Sequence, residues 1–126
     1  MAKLPLAFFT AAALCALAGM VWGVVMAASG DHSMMPAHAH LNLLGWATLA
    51  LMGGFYALTG ANGRLGWINF WFSTVGVVIA VPGIAVLLAG NQKGEIAATV
   101  GSILAIIGML AFLAVVLGRW RAPRPA

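Results

Sequence analysis

Residues 5–28 read PLAFFTAAALCALAGMVWGVVMAA, a run without a single charge. As a helix it is about 36 Å long at 1.5 Å per residue, enough to cross a ~30 Å hydrocarbon layer with some tilt. The run follows Lys3 and ends in Ala27-Ala28-Ser29, which resembles a secretory signal with small residues at a cleavage site. It is too long for that, because the apolar core of a signal peptide spans roughly 7–15 residues. Nor is Ala12-Ala13-Leu14-Cys15 a good lipoprotein box, since Leu14 stands where a small residue is expected. The stretch predicts a first membrane-spanning helix.

Three more apolar runs follow, at about residues 36–59, 67–89 and 96–118, separated by the short polar breaks 29–33, 60–64 and 90–95. Such short connections force neighbouring helices to run antiparallel. The expected fold is all-α, an integral membrane four-helix up-down-up-down bundle forming a single domain over residues 1–126, with a cytoplasmic basic tail at 119–126. Composition agrees: the chain is 63% hydrophobic and 6% charged, against about 25% charged in a soluble domain, and its mean hydropathy is +1.06. So few charges cannot cover a water-facing surface, which makes lipid the solvent. The net charge of +4 comes from six basic residues, too few and too scattered for a nucleic-acid groove. Cys15 is the only cysteine, so no intrachain disulfide forms.

The basic residues set the orientation. Lys3, Arg64, Arg119, Arg121 and Arg124 fall on one side of the bundle, and Lys93 falls on the other with Asp31 and Glu95. Positively charged short loops stay in the cytoplasm, and Trp67, Trp71 and Trp120 mark that same interface. Both termini are expected to be cytoplasmic, in a bacterial inner membrane, with residues 31–36 facing the periplasm. Within the first run small residues recur at Ala11, Cys15, Gly19, Gly23 and Ala27. That stripe permits close helix approach, either inside the bundle or at a subunit interface. Pro82-Gly83 is expected to kink the third helix and open space there for a cofactor.

All three histidines lie within nine residues, in Asp31-His32-Ser33-Met34-Met35-Pro36-Ala37-His38-Ala39-His40-Leu41-Asn42. Ionisable groups at membrane depth are functional candidates by default. Asp31 or Ser33 is expected to cap the second helix, with Pro36 in its first turn. His38 and His40 then point ~160° apart at 3.6 residues per turn, so a regular helix cannot present both to one ion. His38 and Asn42 share a face that Gly45 continues, and the glycine is expected to leave room for a flat ligand. Imidazole is both a common metal ligand and an axial haem ligand.

Pro36-x-His38-x-His40-Leu41-Asn42-Leu43-Leu44-Gly45-Trp46 resembles the helix that carries a low-spin haem ligand in subunit I of the haem-copper oxidase superfamily, which includes nitric oxide reductases. It also resembles the His-Ala-His segment of the NnrS family, membrane proteins associated with haem, copper and nitric oxide stress. The resemblance implies a haem b held by His38 or His40, with Asn42 beside it. A complete oxidase draws histidines from several helices for two haems and a copper, so this chain alone is no terminal oxidase. A second axial ligand has to come from another subunit, from Met26 or from the other histidine, and a homo-oligomer sharing haem is the expected assembly. Lys93 and Asn91-Gln92 lie at the same face, either as solvated loop residues or against haem propionates.

Three functions follow. The first is a membrane haem protein for electron transfer, with a redox partner at the periplasmic face, or for binding of O2 or NO. The second is copper binding by His32, Met34, Met35, His38 and His40, together with Met26, since thioether and imidazole suit Cu(I). The third is a structural or assembly subunit without a cofactor. No catalytic carboxylate pair and no phosphate loop is present, and no carboxylate inside the helices supports a proton relay.

Overall fold

The computed structural model describes residues 1–123, so Arg124, one of the expected cytoplasmic charges, lies outside the described residues. Four helices form: α1 Lys3–Ser29, α2 Met35–Thr59, α3 Arg64–Leu88 and α4 Gly94–Arg121. No strand occurs among the described residues. All four helices are long and apolar enough to cross a membrane, as expected of a multi-pass membrane protein. Leu58 (91% exposed), Leu51 (74%) and Ile96 (74%) lie on the outer surface. Water would penalise so much bare apolar area, whereas lipid does not.

Glycines end the first two helices. Gly30 and Gly60 take φ of 69° and 65°, the left-handed conformation, and their amides bond back to the carbonyls of Met26 and Tyr56. A side chain there would meet the steric cost that makes this cap a glycine position. α3 begins at Arg64 and α4 continues to Arg121, beyond the hydropathy limits at both places. The basic tail expected from residue 119 is therefore, up to Arg121, the last turn of α4. Long side chains near a helix end can carry their charge outward while the stem stays against apolar surface.

α2 is not a uniform helix. Between Leu41 and Thr48 it widens into a π-helix, and the Thr48 hydroxyl donates to the Leu43 carbonyl five residues back at 2.7 Å. The widening decides which residues line up. In an α-helix each step of four residues overshoots a full turn by about 40°, and wider π turns take part of that back. His40, Leu44, Thr48 and Met52 consequently line one groove.

Backbone contact holds α3 to α4. A Cβ at Gly76 would sit 2.7 Å from the Ala105 amide nitrogen, and one at Gly108 would sit 2.7 Å from the Ser73 nitrogen. Gly83 meets Ala98, Gly101 meets Ala80, and Gly94 meets Gly83 in the same way. The glycines fall seven apart, at 76 and 83 on α3 and at 94, 101 and 108 on α4, a heptad seam of small residues between membrane helices. This corrects the expectation of open space beside Pro82-Gly83. α3 runs through Pro82 as one helix, and the backbone of Ala97 and Ala98 fills the space beside Gly83. No cofactor space opens there.

The first-helix stripe packs inside the chain. Gly19 lies against Asn42, Gly23 against His38, and Cys15 against Gly45, which makes the α1–α2 contact the use of that stripe.

All four helices meet at the basic end. Phe8 stacks on Tyr56 at 5.3 Å and meets Phe70 edge-on at 5.2 Å, while Phe55 meets Phe112 of α4. Beneath this cluster runs a buried polar chain. Ser73 donates to Asn69 Oδ1 at 3.0 Å, and Asn69 Nδ2 donates to the Tyr56 hydroxyl at 2.9 Å. Asn69 is fully buried, and its truncation strands both hydroxyls. Asn69→Ala is expected to lower unfolding free energy by about 1–2 kcal/mol, read as an earlier midpoint in a detergent-denaturation titration.

Candidate functional site

The loop from α1 to α2 is short and self-bonded. Asp31 Oδ1 accepts the Ser33 amide at 2.9 Å, and the Ser33 amide and hydroxyl, followed by the nearby His32, hold the Asp31 carboxyl below its usual range. That contribution is present at neutral pH and is lost as pH falls through the lowered value. The cap position of α2 is Met34, which makes no side-chain cap bond, so neither Asp31 nor Ser33 caps the helix as the sequence suggested. Pro36 sits in the first turn as expected.

His32 is exposed in this loop, with Nδ1 3.2 Å from the Gly30 carbonyl. Met34 is half-buried and Met35 is exposed at the start of α2, while Met26 is buried on α1. Among the described residues no three His, Cys, Asp or Glu side chains gather into a group able to hold a metal ion. The three histidines supply no shared copper cluster within one chain. Asn91 and Lys93 are exposed, with Asn91 Oδ1 accepting the Lys93 amide at 3.0 Å, an ordinary loop arrangement.

His38 faces α1. Asn42 Nδ2 donates to His38 Nε2 at 3.0 Å, which confirms that these two residues share a face. Trp22 stands edge-on to the imidazole at 6.2 Å, and the missing side chains of Gly19 and Gly23 make room for Asn42 and His38. With Nε2 accepting, the proton of the neutral ring sits on Nδ1, which is buried and has no partner. Both nitrogens are thus committed or enclosed. The face does not continue into free space at Gly45 either. A Cβ there would lie 2.8 Å from Cys15 Cβ and Sγ, so the thiol, and no flat ligand, occupies that position.

His40 faces the other way. Its Nδ1 lies 2.7 Å from the Pro36 carbonyl. A carbonyl only accepts, so Nδ1 carries the proton and Nε2 of the neutral ring keeps its lone pair. This backbone bond orients the ring, as second partners do for histidines bound to metals. His40 opens a groove of about 330 Å³ between α2, α3 and α4, walled largely by Leu44, Met52, Val77, Ile106 and Met109, with Thr48, Ser73 and Ser102 as polar points.

The chain matches no family model, no curated protein and no solved structure. The resemblance carried by residues 36–46 therefore stands on those residues alone.

The sequence placed the two histidines on different faces of α2 but did not show the Pro36 carbonyl that orients His40 or the Trp22 ring beside His38. Trp22 and the π segment carried no pattern that singled them out. The seven-residue glycine spacing of α3 and α4 stands in the sequence but was not read there, and which helix it faces is set only by the packing. Gly19→Leu is expected to drive Asn42 off His38 and to part α1 from α2, at an overpacking cost of about 1–3 kcal/mol. An earlier midpoint in a detergent-denaturation titration reads that loss.

Proposed function

We propose that this chain is a haem-b-binding membrane protein that uses His40 as its axial ligand, for electron transfer or for binding a diatomic gas such as O2 or NO. One observation carries the reading: the only outward-directed imidazole on α2 with an uncommitted nitrogen borders an apolar groove, with its tautomer set by Pro36. The residues present fit the group, since they pair one nitrogen base with a largely hydrocarbon wall, the combination that cofactor pockets favour.

His40 would hold the iron, the Pro36 carbonyl would orient the ring, and Leu44, Val77 and Ile106 would exclude water. Bound there, haem would supply one-electron redox chemistry or a gas-binding position. His40 is the single imidazole bordering the groove, so any further protein ligand to a haem would have to come from a second copy of the chain, in the homo-oligomer expected from the sequence. By the distribution of basic residues the His40 end is periplasmic in a bacterial inner membrane, so an electron partner would dock there.

Protein purified in detergent from haem-replete cells is expected to show a Soret band that shifts on dithionite reduction. A colourless preparation overturns the proposal. Copper bound without haem, and lost in His32→Ala, would replace it with a copper-handling function.

A further inference from the structure

A second cavity, of about 370 Å³, lies at the opposite, basic end, between the α2–α3 loop, the start of α3 and the last turns of α4. Arg64 and Arg119 both line it. Neither has an acidic side chain to pair with, because Asp31 and Glu95, the only two in the chain, lie at the histidine end. Two guanidinium groups sharing one cavity at a bilayer surface, with no acidic side chain at that end, favour a counter-anion, and the guanidinium fork matches phosphate oxygens.

The remaining walls agree. Arg119 Nη2 donates to the Thr59 carbonyl at 2.8 Å, which positions the side chain and leaves its other N–H groups available. Tyr56, 1% exposed, is part of the wall. Its hydroxyl accepts from Asn69, and its own proton has no acceptor among the described residues. Leu65 and Val115 contribute apolar wall at the same place, suited to the glycerol and acyl part of a lipid.

We propose that this cavity binds the phosphate of an anionic membrane lipid, through Arg64 and Arg119. The site is separate from the His40 groove, and its test does not depend on haem.

The full-length protein, equilibrated with phosphatidylglycerol and phosphatidylcholine in detergent, is read by native mass spectrometry. Wild type is expected to retain phosphatidylglycerol about tenfold over phosphatidylcholine, in line with two basic contacts near a membrane surface. R64Q/R119Q is expected to lose the preference, and Arg121→Gln, at the same end but outside the cavity, to keep it. Should the double variant fail to fold, Arg64→Gln alone is expected to reduce the preference several-fold, since among the described residues no hydrogen bond uses the Arg64 side chain. Equal retention of the two lipids by wild type overturns the proposal, as does an equal loss in Arg121→Gln. Displacement of phosphatidylglycerol by millimolar inorganic phosphate would assign the site to the free ion, and it too counts against a lipid site.

Discussion

His40→Ala is expected to remove the Soret band from the purified protein, with haem retention falling by more than about tenfold; changes to residues that merely support a metal ligand already cost about 10–100-fold. His38→Ala is expected to leave the band in place. The contrast follows from two bonds. Pro36 holds the proton of His40 on Nδ1 at 2.7 Å and leaves Nε2 with its lone pair, on a residue that borders the groove, whereas Asn42 occupies Nε2 of His38 and the other nitrogen is buried without a partner. The cost of His38→Ala should appear in stability, through the cavity left beside Trp22 and Gly23. Absorption spectra of the two variants at matched protein concentration decide it. Loss of the band in His38→Ala with retention in His40→Ala would reverse the assignment and place the haem between α1 and α2.

The second large effect concerns the α3–α4 seam. Gly101→Leu is expected to abolish the folded bundle, or to lower its unfolding free energy beyond the usual 1–3 kcal/mol cost of overpacking, about the range seen where side chains can yield. Here the neighbour is the Ala80 backbone, and a backbone inside a helix has nowhere to move. Gly54→Leu is the matched control, because nothing lies within 4 Å of a Cβ at that position; it is expected to leave the unfolding midpoint nearly unchanged. Equal destabilisation of both variants would mean that the seam is not what holds α3 to α4. The seam also shapes the groove. Ser73 and Val77 of α3 and Ala105 and Met109 of α4 share its wall, so parting these helices should weaken haem retention with no ligand changed.

The π segment links these observations to the short sequence that started the functional reading. Pro36, His38, His40 and Asn42 stand in one run, and periodicity sends the two histidines to opposite sides. The structure keeps that divergence and adds its consequence: one histidine is bound into the α1 contact and the other is left over the groove. The expectation of open space beside Gly45 failed because Cys15, fully thirty residues away in the chain, fills it. The space expected beside Pro82-Gly83 is closed for the same kind of reason, by α4.

From the sequence alone came the four spans, their alternating direction, the common end shared by the basic residues and the address of the histidines. Each is a matter of hydrocarbon thickness, loop length or charge placement, and each can be read along one segment at a time. Tertiary structure decided which imidazole has a free nitrogen, where small residues close a gap and where they seat a neighbour, and which arginines come to share a cavity. Those depend on what the facing helix presents, and a glycine reads the same in the chain whether a side chain, a backbone or lipid stands opposite it.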